Sequence, residues 1–379
     1  MDFVQTPKQE MFRTVLQEFA ETEVAPLAAE IDESGRFPRE TVIRMGELGI
    51  MGLPIPVQYG GAGADTTTYC MAVEEISRAC AATGIILSAH VSVCTQPIYQ
   101  FGNAEQKEKF LIPLAKGEKL GAIALTEPNA GSDASNQQTV AVLDGEHYVF
   151  NGTKIFVTNG GEADIYLVMA MTDPAKGLKG ISAFIVEKGT PGFAFGKKEN
   201  KMGVRASSTT ELIFQDCRVP KENLLGREGE GFSIAMQTLN GGRISIGAQA
   251  VGIAQACLDE SIRYAKEREQ FNHTIASFQG IQWMLADMAT NVEAARMLVY
   301  KAASLKDQKK PYSKESAMAK LFAAETAMNQ AVKAVQIHGG YGYMKEYKVE
   351  RLMRDAKITE IYEGTSEVQR TIIASSILK

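Results

Sequence analysis

The apolar residues of this 379-residue chain change their spacing twice, and those two changes constrain its fold more than any other feature. From Pro7 to about Gly121 the spacing is helical: Met11, Val15, Leu16 and Phe19 recur three and four apart and make one stripe. Further helices are predicted over Arg39–Leu48, with Gly49 just past the end, then Ala72–Ala81, Ile85–Val93 and Ala104–Leu114. Near Ala122 the pattern shortens. His147–Phe150, Lys154–Thr158, Ile165–Met169, Ile181–Val186 and Glu211–Phe214 are short β-prone runs separated by turn residues, and Asn151-Gly152 predicts a hairpin between the first two. Strands without intervening helices point to a small antiparallel barrel or sandwich. After Gly226-Arg227-Glu228-Gly229 long helices resume. Ile281, Met284, Leu285, Met288, Val292, Ala295 and Leu298 form one apolar face; Met318, Leu321, Phe322, Met328, Val332 and Val335 form another, on a helix that Ser313 would cap. The expected architecture is α+β and multidomain: an N-terminal helical domain (1–121), a middle antiparallel β-barrel (122–227) and a C-terminal four-helix bundle (228–379). Single cores rarely grow past ~250–300 residues, which also favours several domains.

Composition removes several classes of function. Forty basic against 45 acidic residues leave a net charge of −5, which argues against a nucleic-acid surface while leaving room for a local basic site on a phosphate-bearing ligand. The five cysteines are scattered with no Cys-x-x-Cys pair, and the four histidines include no His-Glu-x-x-His, so no metal is expected. Asp2 and Glu10 interrupt the N-terminus, which reads as neither signal nor transit peptide. The most apolar stretch, Ala79–Val93, is broken by Thr83, Gly84, Ser88 and His90 and reads as too short to span a bilayer. A cytoplasmic protein with no membrane contact is expected. No Gly-x-Gly-x-x-Gly lies between a strand and a helix and no Walker A sequence is present, so a Rossmann site is not supported; Tyr59–Asp65 reads as a glycine-rich turn.

Chemistry concentrates near the C-terminus, in Arg354-Asp355-Ala356-Lys357 and Ile361-Tyr362-Glu363-Gly364-Thr365. Glu363 follows an apolar pair, where desolvation raises a carboxyl pKa toward the range of a general base. Gly364 lets a ligand approach the backbone, so a nearby N–H can steady a developing enolate. The plainer reading is a surface Glu at a helix end with a glycine cap. A longer pattern bears on this choice. The Glu363 segment and Leu125-Thr126-Glu127-Pro128-Asn129-Ala130-Gly131-Ser132-Asp133 resemble, in the same order, two signatures of the acyl-CoA dehydrogenases, and the likeness runs from about the first helix to the last residues.

That resemblance implies an enzyme in which Glu363 removes the substrate α-proton while the β-hydrogen leaves as hydride to FAD, giving a trans-2-enoyl-CoA. The thioester carbonyl would accept from the Glu363 N–H and a ribityl hydroxyl of FAD. FAD would lie between barrel and bundle. By the same resemblance, Leu125, Thr126, Gly131 and Ser132 face the flavin ring and pyrophosphate, Ser132 also lies near the thioester, Phe156 packs on the ring beside Val157, and Thr158 hydrogen-bonds it. Read alone, Phe156 is an ordinary core aromatic. Arg268, Phe271 and Gln279 would reach FAD across a subunit interface, Gln336, Gly339 and Gly340 would do so from the opposite subunit, and Thr365 and Glu367 complete the set. Asn240, Arg243, Tyr362 and Gly364 would join Ser132 at the substrate. Two positions depart from the family pattern: Asn272 stands where Gly is common and Asn240 where Asp is frequent. The likeness is strongest to short-chain members, the butyryl-CoA dehydrogenases of anaerobic bacteria. It implies a homotetramer (a dimer of dimers) that passes electrons to an electron-transfer flavoprotein and is able to run in reverse on crotonyl-CoA. The alternatives are an aryl-acryloyl-CoA or acryloyl-CoA reductase of the same family, an acyl-CoA oxidase, and a non-catalytic acyl-CoA- or flavin-binding scaffold.

Overall fold

The computed structural model describes residues 6–378; Asp2, on which part of the reading of the N-terminus rested, lies outside them. The first helix, Pro7–Phe19, starts in a capping box: Thr6 Oγ1 accepts from the Gln9 N–H at 3.3 Å and Gln9 Oε1 accepts from the Thr6 N–H at 3.0 Å. Leu16 and Phe19 of its stripe are buried, whereas Met11 and Val15 are exposed. Arg39–Glu47 follows and ends at Gly49, whose φ of 71° is the left-handed stop expected of glycine. Thr66–Ala79 is capped by Asp65, which accepts from the Thr68 N–H at 2.6 Å.

The next helical run corrects the length expected of the apolar stretch. It extends unbroken over Ala81–Phe101, 21 residues, long and apolar enough by composition to cross a membrane, yet buried in the protein from Ala81 to Ile98. Most of its polar side chains are satisfied internally, although the buried Thr83 hydroxyl has no partner among the described residues. Ser92 donates to the Ser88 carbonyl at 2.6 Å, and His90 Nδ1 accepts from the Gly121 N–H at 2.9 Å. Burial pushes the His90 imidazole down to about 4, so it stays neutral.

The middle of the chain forms one eight-stranded sheet from β1 (Gly121–Ala124), β2 (Val140–Asp144), β3 (His147–Thr158), β4 (Ile165–Met171), β5 (Ile181–Glu187), β6 (Phe193–Lys198), β7 (Thr209–Pro220) and β8 (Leu224–Leu225). Its order is β6-β7-β3-β2-β4-β5-β8, with β1 beside β4. The ladders are antiparallel except for β1–β4 and a single β2–β4 contact, which are parallel. Tyr148, Phe150, Phe184 and Phe214 pack edge-on or tilted in its core.

The Asn151-Gly152 hairpin does not form. Both residues lie inside β3, at an irregularity in its pairing with β7, and the β2–β3 turn falls at Gly145, where φ is 62°. Close approach explains Gly152: a Cβ there would meet the Thr139 Cα at 2.7 Å. Asn151 is used instead to bind Asp216, accepting from its N–H at 2.9 Å.

Three long helices, Gly231–Glu267, Gln279–Asp307 and Ser313–His338, pack with the final helix, Ser366–Ile377, and the shorter Lys348–Ile358. The face that Ser313–His338 buries differs from the expected one. Ala317, Ala319, Ala323, Ala324, Ala327, Ala331 and Ala334 are fully buried, while Phe322 and Val332 are exposed and Met318, Leu321, Met328 and Val335 are half-buried. Small side chains let neighbouring helix axes approach closely, and the large ones lie outside that contact. On Gln279–Asp307, Met288, Val292 and Ala295 are buried, with Ile281, Met284, Leu285 and Leu298 half-buried. Ser313 is not the cap. Tyr312 occupies that position, and Ser313 Oγ donates to Asn240 Oδ1 at 3.0 Å.

One buried ion pair ties the sheet to the loop that follows β1. Lys154 of β3 is fully buried and lies 2.6 Å from Glu127; it also reaches Gln137 Oε1 at 3.0 Å and the Leu125 carbonyl at 3.2 Å. Glu127 accepts from the N–H groups of Gln138 (2.6 Å) and Thr139 (3.1 Å). Burial pushes the ammonium down to about 8 against the pull of Glu127. Lys154→Met strands a buried carboxylate and is expected to lower stability by about 3–5 kcal/mol, read by denaturant unfolding. An unchanged midpoint would show that the pair does not hold this loop.

Candidate active site

Glu363 lies on the loop between Lys348–Ile358 and Ser366–Ile377, and its backbone is left-handed, with φ 52°, followed by Gly364 at 93°. A non-glycine residue in this region is strained unless its surroundings hold it. They do. The Gly364 carbonyl accepts from Lys320 Nζ and from Gln369 Nε2, each at 2.8 Å, and Gln369 also reaches the Glu363 carbonyl at 3.3 Å. On one side of the turn, the Tyr362 hydroxyl donates to Gln249 Oε1, and Gln249 Nε2 donates to the Ala81 carbonyl at 3.0 Å. On the other, Thr365 caps the final helix by accepting from the Val368 N–H at 3.3 Å.

The carboxylate abuts the first bundle helix at a glycine. A Cβ on Gly242 would sit 1.9 Å from Glu363 Oε2, so that position has no room for any side chain while the carboxylate is there. Glu363 is half-buried as a residue, but Oε2 is sealed from solvent and, among the described residues, accepts no hydrogen bond. Burial pushes the carboxyl up to about 7, against the opposing pull of the Arg243 and Lys320 cations. Arg243 is itself buried; its Nη1 donates to Asn240 Oδ1 at 2.5 Å, and its Nε has no partner among the described residues. Burial lowers its pKa, with Glu363 opposing.

Around this carboxylate lies a cleft of about 310 Å³. Leu125, Thr126, Gly131, Ser132, Phe156, Thr158, Arg243, Tyr362, Glu363 and Gly364 line it, so two segments far apart in the chain meet there. The buried Ala81–Phe101 run contributes Ile85, Ala89 and Val93, and the first bundle helix contributes Phe232, Met236 and Leu239. Phe156 is no core aromatic: it is 60% exposed, has φ 56°, and borders both this cleft and a second cavity of about 360 Å³ shared with Thr158 and Tyr362. Val157 faces away, buried in the sheet opposite Thr210. Asn240 reaches the cleft only through Arg243.

The remaining expected residues gather elsewhere. Arg268, Gly339 and Gly340 line a separate cavity of about 540 Å³ with Tyr264, His338 and Tyr341, and the Arg268 guanidinium lies 5.4 Å from the Tyr341 ring centroid. Phe271 and Asn272 are both left-handed, at 52° and 62°, so the position where glycine is common keeps a glycine-like turn with Asn, which tolerates it. Phe271, Gln279, Gln336 and Glu367 are exposed. Spacing carries no signal for Gln249, Lys320 or Gln369, and Gly242 stands out only through the carboxylate it admits.

The residues present fit a large cofactor with a flat head and an anionic tail. Thr126, Thr158 and Ser132 supply hydroxyls beside the exposed Phe156 ring. In the separate cavity an arginine stands beside Gly339 and Gly340, where an added Cβ would project into open space.

Comparison with known proteins agrees. Residues 6–118, 122–217 and 229–378 match the family models for the N-terminal, middle and C-terminal domains of acyl-CoA dehydrogenase. The short-chain-specific acyl-CoA dehydrogenase of Clostridium acetobutylicum is 60% identical over 379 residues, covering all of both chains. The butyryl-CoA dehydrogenase of Megasphaera elsdenii superposes with a TM-score of 0.99 at 52% identity, again over all of both chains. A chain from a structure described as the electron transferring flavoprotein of Acidaminococcus fermentans, in connection with flavin-based electron bifurcation, does so with a TM-score of 0.99 at 56% identity over the full length of both. The chain belongs to the acyl-CoA dehydrogenase family and is an FAD-dependent oxidoreductase.

Proposed function

We propose that this enzyme oxidises a short-chain acyl-CoA to the trans-2-enoyl-CoA, with Glu363 as the base that takes the α-proton. One observation carries the role of Glu363: a carboxylate oxygen sealed from solvent, without a hydrogen bond, on a group pushed up to about 7 at the wall of the cleft. A base of that strength is ionised near neutral pH and still basic enough to accept a proton from carbon next to a thioester. Among the described residues the Glu363 N–H has no acceptor within the chain, which leaves it available to the thioester carbonyl as negative charge develops there. FAD, when bound, supplies the acceptor for the β-hydride. Phe156, Thr126, Thr158 and Ser132 are the residues suited to hold its head, and Ile85, Ala89, Val93 and Leu239 give the apolar wall that keeps water from the acyl chain.

The short-chain preference is supported by relatives named for short-chain substrates and for butyryl-CoA. An electron-transfer flavoprotein as acceptor is supported by the solved chain associated with one. We also assign a homotetramer built as a dimer of dimers. Arg268, Gly339 and Gly340 lie in a different cavity from Glu363, so the cofactor tail is best held by another copy. Phe271, Trp283 and Tyr343 are 86%, 63% and 81% exposed, as interface residues of an isolated protomer would be. Five buried free thiols suit the cytoplasm.

Glu363→Gln is expected to retain FAD and acyl-CoA binding while turnover falls by several orders of magnitude; turnover within about tenfold of wild type means that another group is the base. In the wild type, kcat/KM is expected to rise with pH through a limb near 7 as the free carboxyl ionises. Stability carries the same titration with its own sign. The folded pKa lies above the unfolded one, so the contribution of Glu363 is fully present below pH ~4.5 and is lost as pH rises through about 7. Glu363→Gln is therefore expected to match wild type in unfolding midpoint at pH 4 and to exceed it at pH 8. A gap that does not depend on pH would contradict the raised pKa.

A further inference from the structure

Lys320 is fully buried on Ser313–His338, and among the described residues it forms no ion pair. A buried lysine is rarely retained without a partner, because withdrawing an ammonium from water costs several kcal/mol unless something compensates. What it has is the 2.8 Å bond to the Gly364 carbonyl, one residue beyond the candidate base. Gln369, also fully buried, donates to the same carbonyl at 2.8 Å but brings no charge. A neutral donor is thus already in place, and a second donor that is also a cation needs a further reason.

That reason lies in the turn and its charge. Glu363 and Gly364 hold consecutive left-handed conformations, and the Gly364 carbonyl is where the fold restrains them. Two cations bear on the Glu363 carboxylate: Arg243 from the first bundle helix and Lys320 from the third. The guanidinium of Arg243 is already engaged by Asn240, with Tyr312 facing it. The other charged groups near Lys320 are Glu360 and Glu367, on either side of the Glu363 turn; Glu360 is paired with Lys357 at 2.7 Å and Glu367 is exposed.

We infer that Lys320 is a positioning residue for the reaction: its ammonium fixes the left-handed turn through the Gly364 carbonyl and, as a cation behind the turn, keeps the Glu363 carboxylate ionised at working pH. This rests on Glu363 being the base. Burial pushes Lys320 itself down to about 8, with Glu363 opposing, so the lysine is still charged where the carboxylate ionises and loses its proton only above that range. Of the residues that hold the turn, Lys320 alone couples backbone geometry to the base's charge.

The test uses FAD-loaded enzyme with butyryl-CoA over pH 5.5–9. In Lys320→Met, the limb assigned to Glu363 is expected to move up by about one unit and kcat at pH 7 to fall about tenfold or more, with KM within about threefold of wild type. Gln369→Leu, which removes a donor from the same carbonyl without removing a charge, is expected to lower kcat and leave the limb in place. Lys320→Arg, keeping charge and donor, is expected to keep the wild-type limb. Activity is not the only readout: in the Lys320→Met background the stability gap between Glu363 and its Gln variant should keep growing to a higher pH and be wider at pH 8–9. If Lys320→Met does not fold, Lys320→Gln carries the same expectation. A folded Lys320 variant lacking the charge, with a wild-type limb and wild-type kcat, overturns the inference, as does an equal limb shift in Gln369→Leu. If the Glu363→Gln variant turns over normally, it is the assignment of the base that fails, whatever Lys320 does.

Discussion

The structure depends on keeping one carboxylate oxygen out of water without giving it a hydrogen bond. An oxygen such as Glu363 Oε2 would ordinarily recruit a donor or a water, and leaving it bare is unfavourable by roughly 1–3 kcal/mol or more. The surroundings compensate with charge at a distance. Arg243 and Lys320 bear on the group from two helices, and both are themselves buried. Burial pushes the carboxyl up while the two cations restrain it, and the balance leaves it at about 7. Were burial unopposed, the acid would stay protonated; in open water its basicity would fall to that of any surface glutamate.

The helix Gly231–Glu267 makes this possible by giving up side chains wherever another element must come close. Gly242 admits the Glu363 carboxylate. Five residues on, a Cβ at Gly247 would stand 2.9 Å from Val299, and five further, one at Gly252 would meet the Glu74 carbonyl at 2.3 Å. The same helix therefore meets the Glu363 loop, the second bundle helix and the N-terminal helices along a single run. The alanine face of Ser313–His338 continues the principle from the facing side and carries Lys320 up to the turn. On the far wall, the Lys154–Glu127 pair ties the Leu125–Ser132 loop to β3, which also carries Phe156 and Thr158. Glu127, part of the motif read from the sequence, serves this brace and does not line the cleft.

Much of this was legible in the residues. The three textures along the chain became the helical, sheet and bundle regions, and the pairing of the Glu363 segment with the Leu125–Asp133 segment anticipated one shared cleft. The misses have physical causes. Asn151-Gly152 carries hairpin chemistry, but the close approach of Thr139 uses the glycine at a bulge. On Ser313–His338 the large residues drew attention to the wrong face, because the tightest helix contact selects alanine and not bulk. Lys320, Gln249 and Gln369 were invisible because a buried polar residue declares itself only through its partner, and these partners lie 44, 113 and 5 residues away. Phe156 was ambiguous alone; its left-handed backbone and exposure resolve it as a cleft residue.

The central claim is that this cleft removes a proton and a hydride from adjacent carbons of a short acyl-CoA. An anaerobic visible-absorbance titration of the FAD-loaded wild type with butyryl-CoA tests it most directly. The account predicts bleaching of the flavin band at about one equivalent per subunit, with crotonyl-CoA as the product. Bound flavin that keeps its absorbance with butyryl-CoA, and with longer, branched and aryl acyl-CoAs, would contradict it.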